Sequence, residues 1–324
     1  MKVLLVGLGR WGEKHLRVLG ELGVELWVAD VSAERRAFAV RAGVAPARAV
    51  EDFRRALPHV DAVDIVTPAD NHLALAGECL RAGRDCFIEK PLTRTVAEGR
   101  QLADIVADTG RVLQVGHIFR FHPVTTALRE RLDTGALGRV RYCTGRFAGF
   151  KRPRTDVGVT QTDAIHYFDL FAHLLEREAT AVTATLRDYL GRGMDDCSFA
   201  TVEYGDVPAM VEAGYFAPGT YRDCVIVGEQ ATLAADFGSS EVRVLANRHV
   251  PSAGGWQAPE GPVESFKAGG PEPLRREIEL FLDAVACHGR PAVDVEAGLA
   301  AMRTVEAAQR SSALGRRVTL AELA

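Results

Sequence analysis

The feature that most limits the fold is the stretch VGLGRWGEKHL, Val6 to Leu16. It contains Gly7-Leu8-Gly9-Arg10-Trp11-Gly12, a G-x-G-x-x-G spacing. An apolar run, Lys2 to Val6, precedes it, and a helix is predicted over 11–22. Glycine at the first position permits a tight turn. At the second it lets the backbone approach a pyrophosphate, and at the third it lets the helix pack on the sheet. The helix start then presents unpaired N–H groups and the positive end of its dipole to phosphates. Alone, the motif also fits a structural turn, or a flavin or nucleotide site, so its context must decide.

The context is an alternation of short strands and helices. Strands are predicted over 24–29, 62–66, 86–89 and 112–116, and helices over 33–42, 71–82 and 96–108. Ser32 is placed to cap the second helix, and Gly83 and Gly110 to end the third and fourth. Such alternation gives a doubly wound parallel sheet. After about Arg120 strands dominate, several alternating apolar with polar residues as in an antiparallel sheet with one buried face. They are predicted over 139–147, 181–186, 199–204, 209–215, 222–227, 232–236 and 241–246. Helices are expected over 124–132, 163–175, 274–287 and 295–313, and a Gly- and Pro-rich loop over 251–273. The fold class is therefore α/β. A Rossmann domain over 1–120 precedes an α+β domain over 121–324 with a large open, mostly antiparallel sheet, and the closing helices are free to pack back on the first domain.

With 324 residues the chain is long enough for two cores. A net charge of −4 gives no field to draw it to nucleic acid or anionic membrane. MKVLLVGLG is too short and glycine-broken for a signal peptide, and no apolar run approaches a membrane span. Six scattered cysteines without a C-x-x-C pair read as reduced cytoplasmic thiols.

In an open parallel sheet, ligands gather at the carboxyl ends of the strands. Asp30 ends the second strand, where a carboxylate binds the adenosine ribose and repels a 2′-phosphate. That points to NAD, with NADP disfavoured, and Arg35 and Arg36 just beyond read as a solvated helix face. Thr67-Pro68 with Asn71-His72, Glu89-Lys90-Pro91, and Gly116-His117 end later strands. Lys90 is the most informative of these, although an ordinary exposed lysine also fits. In the second half, Asp163 and His166 are three apart and on a helix share one face. A cap or a core residue is the alternative for each. Asp169 and His173 have helical metal-ligand spacing but no evident third ligand, so no metal is expected.

VGLGRWG, Asp30, TPADNH, Glu89-Lys90-Pro91 and DAIH at 163–166 together resemble the Gfo/Idh/MocA family of NAD(P)-dependent sugar and cyclitol oxidoreductases, over essentially the whole chain. Within it, VGHIFRFHP (115–123) and DVGVTQTDAIHYFDL (156–170) resemble the branch that oxidises the 3-hydroxyl of UDP-N-acetylhexosamines or their uronic acids. Many members place Asp four residues before the histidine, where this chain has Thr162. His122 replaces the branch's asparagine.

The resemblance implies cofactor contacts from Gly7, Gly9, Arg10, Trp11, Gly12, Asp30, Thr67, Pro68, His72, Glu89 and Lys90. It also implies a homodimer or homotetramer. Lys90 and His166 are the expected proton-handling pair, with Asp163 as a candidate to orient the histidine. Arg120, Lys151, Arg152 and Arg154 suit a diphosphate or carboxylate on the substrate, or form a solvated basic loop. Oxidation of a free sugar or inositol is the alternative reading, and a non-catalytic NAD-binding sensor is another.

Overall fold

A computed structural model of the chain describes residues 1–323. Its first elements are β1 (Lys2–Val6), α1 (Gly12–Glu21), β2 (Glu25–Ala29), α2 (Ala33–Arg41), β3 (Ala49–Val50), β4 (Ala62–Ile65), α3 (His72–Arg81), β5 (Asp85–Glu89), α4 (Val96–Thr109) and β6 (Leu113–Gly116). β4, β5 and β6 are buried at every position. Strands covered on both faces need no polar–apolar alternation, and these segments show none. They form a parallel sheet in the order β3-β2-β1-β4-β5-β6. The order reverses between β1 and β4, the switch point at which a ligand crevice opens.

The chain continues through α5 (Pro123–Asp133), β7 (Val140–Gly149), α6 (Ile165–Leu175), β8 (Ala181–Arg187), β9 (Cys197–Tyr204), β10 (Val207–Gly214), β11 (Thr220–Gly228), β12 (Thr232–Asp236) and β13 (Glu241–Leu245). β14 (Val250–Ser252), β15 (Gly255–Gln257) and β16 (Val263–Lys267) follow, then α7 (Pro273–Cys287), α8 (Val295–Leu314) and β17 (Val318–Thr319). Two compact units result: Met1–Ile118 with Glu272–Met302, and Phe119–Pro271 with Arg303–Ala324. In the first, Leu274 and Ile278 of α7 join the core of β1 and α1.

The second unit is built on a nine-stranded sheet, β16-β13-β12-β11-β7-β10-β9-β8-β17. It is mixed, because β7 and β10 run parallel while the other pairs are antiparallel. α6 covers one face. Gly145 of β7 makes that contact, since a Cβ there would lie 2.5 Å from the Tyr167 ring. The Tyr167 hydroxyl donates to the carbonyls of Arg146 and Asp223 and so pins α6 across β7 and β11. On the opposite face, register places Thr144, Met210, Thr201 and Thr183 in one row, with Arg146, Glu212 and Phe199 in the next.

The expected loop over 251–273 is corrected. Residues 250–257 form a hairpin and β16 pairs with β13 at the sheet edge. An edge strand with one mostly solvated sequence, VESFK, carries too little apolar signal to be seen from composition. The helix expected from Asp163 is also corrected. α6 starts at Ile165, after a π-type turn over Thr160–Ala164. No helix among the described residues is long and apolar enough to cross a membrane.

Candidate active site

The first unit gathers its chemistry at the carboxyl ends of β1, β2, β4 and β5. Gly7 has φ +94°, and a Cβ there would meet the Val66 carbonyl at 2.6 Å. Only glycine fits that turn. At Gly12 a Cβ would lie 2.0 Å from the Gly7 carbonyl. The third glycine thus lets α1 close on its own turn, where the sequence reading had it packing on the sheet. Gly9 is exposed, and a Cβ on it would meet nothing within 4 Å. No side chain caps α1; the Glu13 and Lys14 N–H groups bond to the Gly9 and Trp11 carbonyls, which leaves the backbone of the turn ahead of them to meet an anion. These features fit a dinucleotide pyrophosphate. Arg10 is exposed and Trp11 half-buried beside the turn.

Asp30 holds the turn from the other side. One carboxylate oxygen accepts from the Leu8 N–H at 2.7 Å, the other from the Ser32 N–H at 2.8 Å. Ser32 caps α2 through the Arg35 N–H. The two arginines are not the solvated face expected of them. Arg36 donates to the carbonyls of Asp30 (2.7 Å) and Val31 (3.1 Å), and Arg35 pairs with Glu13. Asp30 is thus fixed at this strand end by two backbone N–H groups, with acceptor capacity left on its carboxylate.

Thr67 and Pro68 leave β4, the first half-buried and the second exposed. His72, expected at the cofactor, is buried behind them. Its Nδ1 lies 2.9 Å from the Pro91 carbonyl and its Nε2 2.9 Å from the Thr67 carbonyl. Burial pushes its pKa down, so the neutral ring donates to one carbonyl at a time and braces two loops together. Lys90 is half-buried at the end of β5, and its backbone N–H donates to Glu89 Oε2 at 3.2 Å.

Below these loops lies a group the sequence reading missed. His15 of α1 is fully buried, with Nδ1 2.8 Å from Asp64 Oδ2 and Nε2 3.2 Å from Glu89 Oε1. Burial works against its charge, but the two carboxylates outweigh it and raise its pKa to about 10. Glu89 is correspondingly held below its ordinary pKa, against its own desolvation. The available signal was Asp64, a carboxylate in the middle of the strand AVDIV.

In the second unit, His166 lies in the first turn of α6 and is 6% exposed. Its ring stacks with Phe119 (centroids 4.8 Å) and Phe147 (5.1 Å), which fixes its plane. Asp163 does not obtain its place from α-helical spacing, since it sits in the wider π-type turn. Its Oδ2 accepts from Lys151 Nζ at 2.6 Å. Thr162 meets the Tyr215 hydroxyl at 3.1 Å.

Of the cations expected to meet the substrate, Arg120 forms a two-pronged pair with buried Asp169, at 2.8 and 2.6 Å. The same pair accounts for Asp169, which was weighed above as a metal ligand. Arg154 pairs with Asp156, and Arg152 is exposed. Arg222, which the sequence did not single out, lies with its guanidinium carbon 3.4 Å from the Phe147 ring centroid. His122 caps α5 by accepting from the Val124 N–H.

Comparison with known proteins divides the chain in sequence order. Residues 1–117 match the model described as an oxidoreductase family, NAD-binding Rossmann fold, and residues 129–320 match the C-terminal alpha/beta domain of the same family. An inositol 2-dehydrogenase of Rhizobium meliloti is 30% identical over 98% of both chains. A UDP-N-acetylglucosamine 3-dehydrogenase of Acidithiobacillus ferrooxidans is 29% identical over 95% of both. A solved structure of the latter enzyme from that organism superposes with a TM-score of 0.81 at 25% identity, covering 96% of this chain and 97% of that one.

Proposed function

The chain belongs to the Gfo/Idh/MocA oxidoreductase family, and from that premise we propose that it oxidises a ring hydroxyl, at C3, of a nucleotide-linked N-acetylhexosamine with NAD. The observation that carries the reading is that two side chains suited to proton handling stand on rigid elements: Lys90 just after a fully buried strand, and His166 packed against two phenylalanine rings. A domain that only bound NAD needs neither. The nucleotide-sugar relative and the stretch at 115–123 favour the hexosamine. The inositol relative of slightly higher identity favours a free cyclitol as the second reading.

Bound NAD supplies the acceptor for the hydride that leaves the carbinol carbon. The chain's own task is to hold the hydroxyl and take its proton. Neutral His166 suits the base, because an imidazole titrates near neutral pH. In this reading Lys90, as a cation, would stabilise the negative charge that develops on the substrate. Incubation with NAD and a panel of UDP-sugars, free sugars and inositols, followed by NADH absorbance, tests this. Turnover confined to inositols would replace the first reading by the second, and none at all would favour the sensor.

Asp30 sets the cofactor choice in this reading. NAD is expected to bind more tightly than NADP. Asp30→Ser, which keeps an acceptor for the Leu8 N–H, is expected to narrow the preference about tenfold or more, the scale of one charge–charge repulsion near a surface. Titration of both cofactors checks it, and tighter NADP binding by the unaltered protein would refute it.

The second unit points to self-association. Phe199 and Met210 are each 51% exposed on the open face of the sheet, and a second copy presenting the same face would bury both. Light scattering at micromolar concentration is expected to give a dimer or tetramer. A species at the single-chain mass of 35.1 kDa would refute this.

A further inference from the structure

Across the β7–β11 pairing, Arg222 stands directly opposite Phe147, so both lie on the face that α6 covers. The guanidinium carbon of Arg222 is 3.4 Å from the Phe147 ring centroid and Nζ of Lys151 is 4.7 Å from it. The same ring stacks with His166. Two cations and the histidine therefore share one aromatic platform.

The cations are unequally matched by acids. Lys151 holds Asp163 at 2.6 Å. Arg222 donates to the backbone carbonyls of Ala148 (3.1 Å) and Tyr221 (2.5 Å), and Asp163 acts on it only through space. Both are half-buried, and burial lowers the pKa of each. Two desolvated cations facing one carboxylate leave a positive charge without a counter-ion, an arrangement that costs stability unless an anion completes it. The guanidinium also has donors left after serving two carbonyls.

We infer that Lys151 and Arg222 form a subsite for an anionic oxygen group, carboxylate or phosphate, carried by the substrate beside His166. The inference rests on the sugar-dehydrogenase reading and deepens it, because a neutral cyclitol has nothing to place there. Asp163 acts in this subsite as the counter-charge that keeps Lys151 in position.

Calorimetric titration in saturating NAD, which keeps the glycine turn occupied, tests it with three probes: glucuronate, uridine diphosphate and neutral myo-inositol. Glucuronate or uridine diphosphate is expected to bind, and which of the two binds tells a carboxylate subsite from a phosphate one. Arg222→Met is expected to weaken that binding about 10–100-fold, the size of a lost hydrogen bond to a charged group. NAD affinity should be unchanged. Arg222→Lys should recover part of the loss, and Lys151→Met, the safeguard if Arg222→Met does not fold, should weaken the same probe. Absence of binding by both anions, or equal binding by the methionine variants, overturns the subsite. Turnover separates this from the parent reading. Oxidation of sugars accompanied by no binding of either anion, or by anion binding that Arg222→Met leaves unchanged, retains the dehydrogenase and rejects the subsite. Anion binding without turnover of any sugar retains the subsite and rejects the dehydrogenase.

Discussion

Lys90→Met is expected to lower turnover by about 10²–10⁴-fold, the usual loss when a general acid–base group is removed. The fold and NAD affinity should stay near normal. Methionine keeps the length and apolar stem of the side chain, and the backbone N–H bond to Glu89 is retained. His166→Asn is expected to act likewise, the planar amide still packing against Phe119 and Phe147. If both groups act on one hydroxyl oxygen, the double variant falls little below either single one. Asp163→Asn separates two roles. Its bond to Lys151 predicts a raised KM with kcat nearly kept, whereas an orienting partner of His166 would lower kcat. Turnover, NAD affinity and melting temperature of the four variants decide the matter. Near-normal turnover in Lys90→Met would show that the chemistry belongs to another residue.

The parts of this site that were legible in the sequence are those fixed by local backbone geometry. Gly7 and Gly12 announce themselves because no side chain fits their turn. Asp30, Thr67 and Lys90 follow because a buried parallel strand must end where its apolar run ends. The partners of charged side chains were not legible. Asp163 meets Lys151 and Arg120 meets Asp169 across irregular backbone that no period describes. Arg222 comes to Phe147 only through the register of β7 with β11, strands more than seventy residues apart in sequence. β16 was hidden because its pairing partner, not its composition, makes it a strand. His72 was expected among the cofactor contacts, and burial with two carbonyl partners instead turns it inward.

His15→Asn is expected to destabilise the protein by about 3–5 kcal/mol at neutral pH, the cost of removing one partner from a buried charged group. Two buried carboxylates, Asp64 and Glu89, would then face a neutral amide. The pH dependence distinguishes this from the loss of a packed ring. The folded-state pKa of His15 is raised to about 10 from an ordinary 6.5. Its stabilising contribution is therefore complete below about pH 6.5 and disappears as pH rises through about 10. Melting temperature of the unaltered protein should fall over that interval through this group, and the variant should lack that component. The gap should therefore narrow as pH rises through about 10, and narrow again only in the acid range where protonation relieves the stranded carboxylates. His15→Asn combined with Asp64→Asn removes one of those charges and should recover part of the loss. A stability deficit that is the same at every pH, and unmoved by the second substitution, would mean that His15 serves only to fill space beneath the glycine turn.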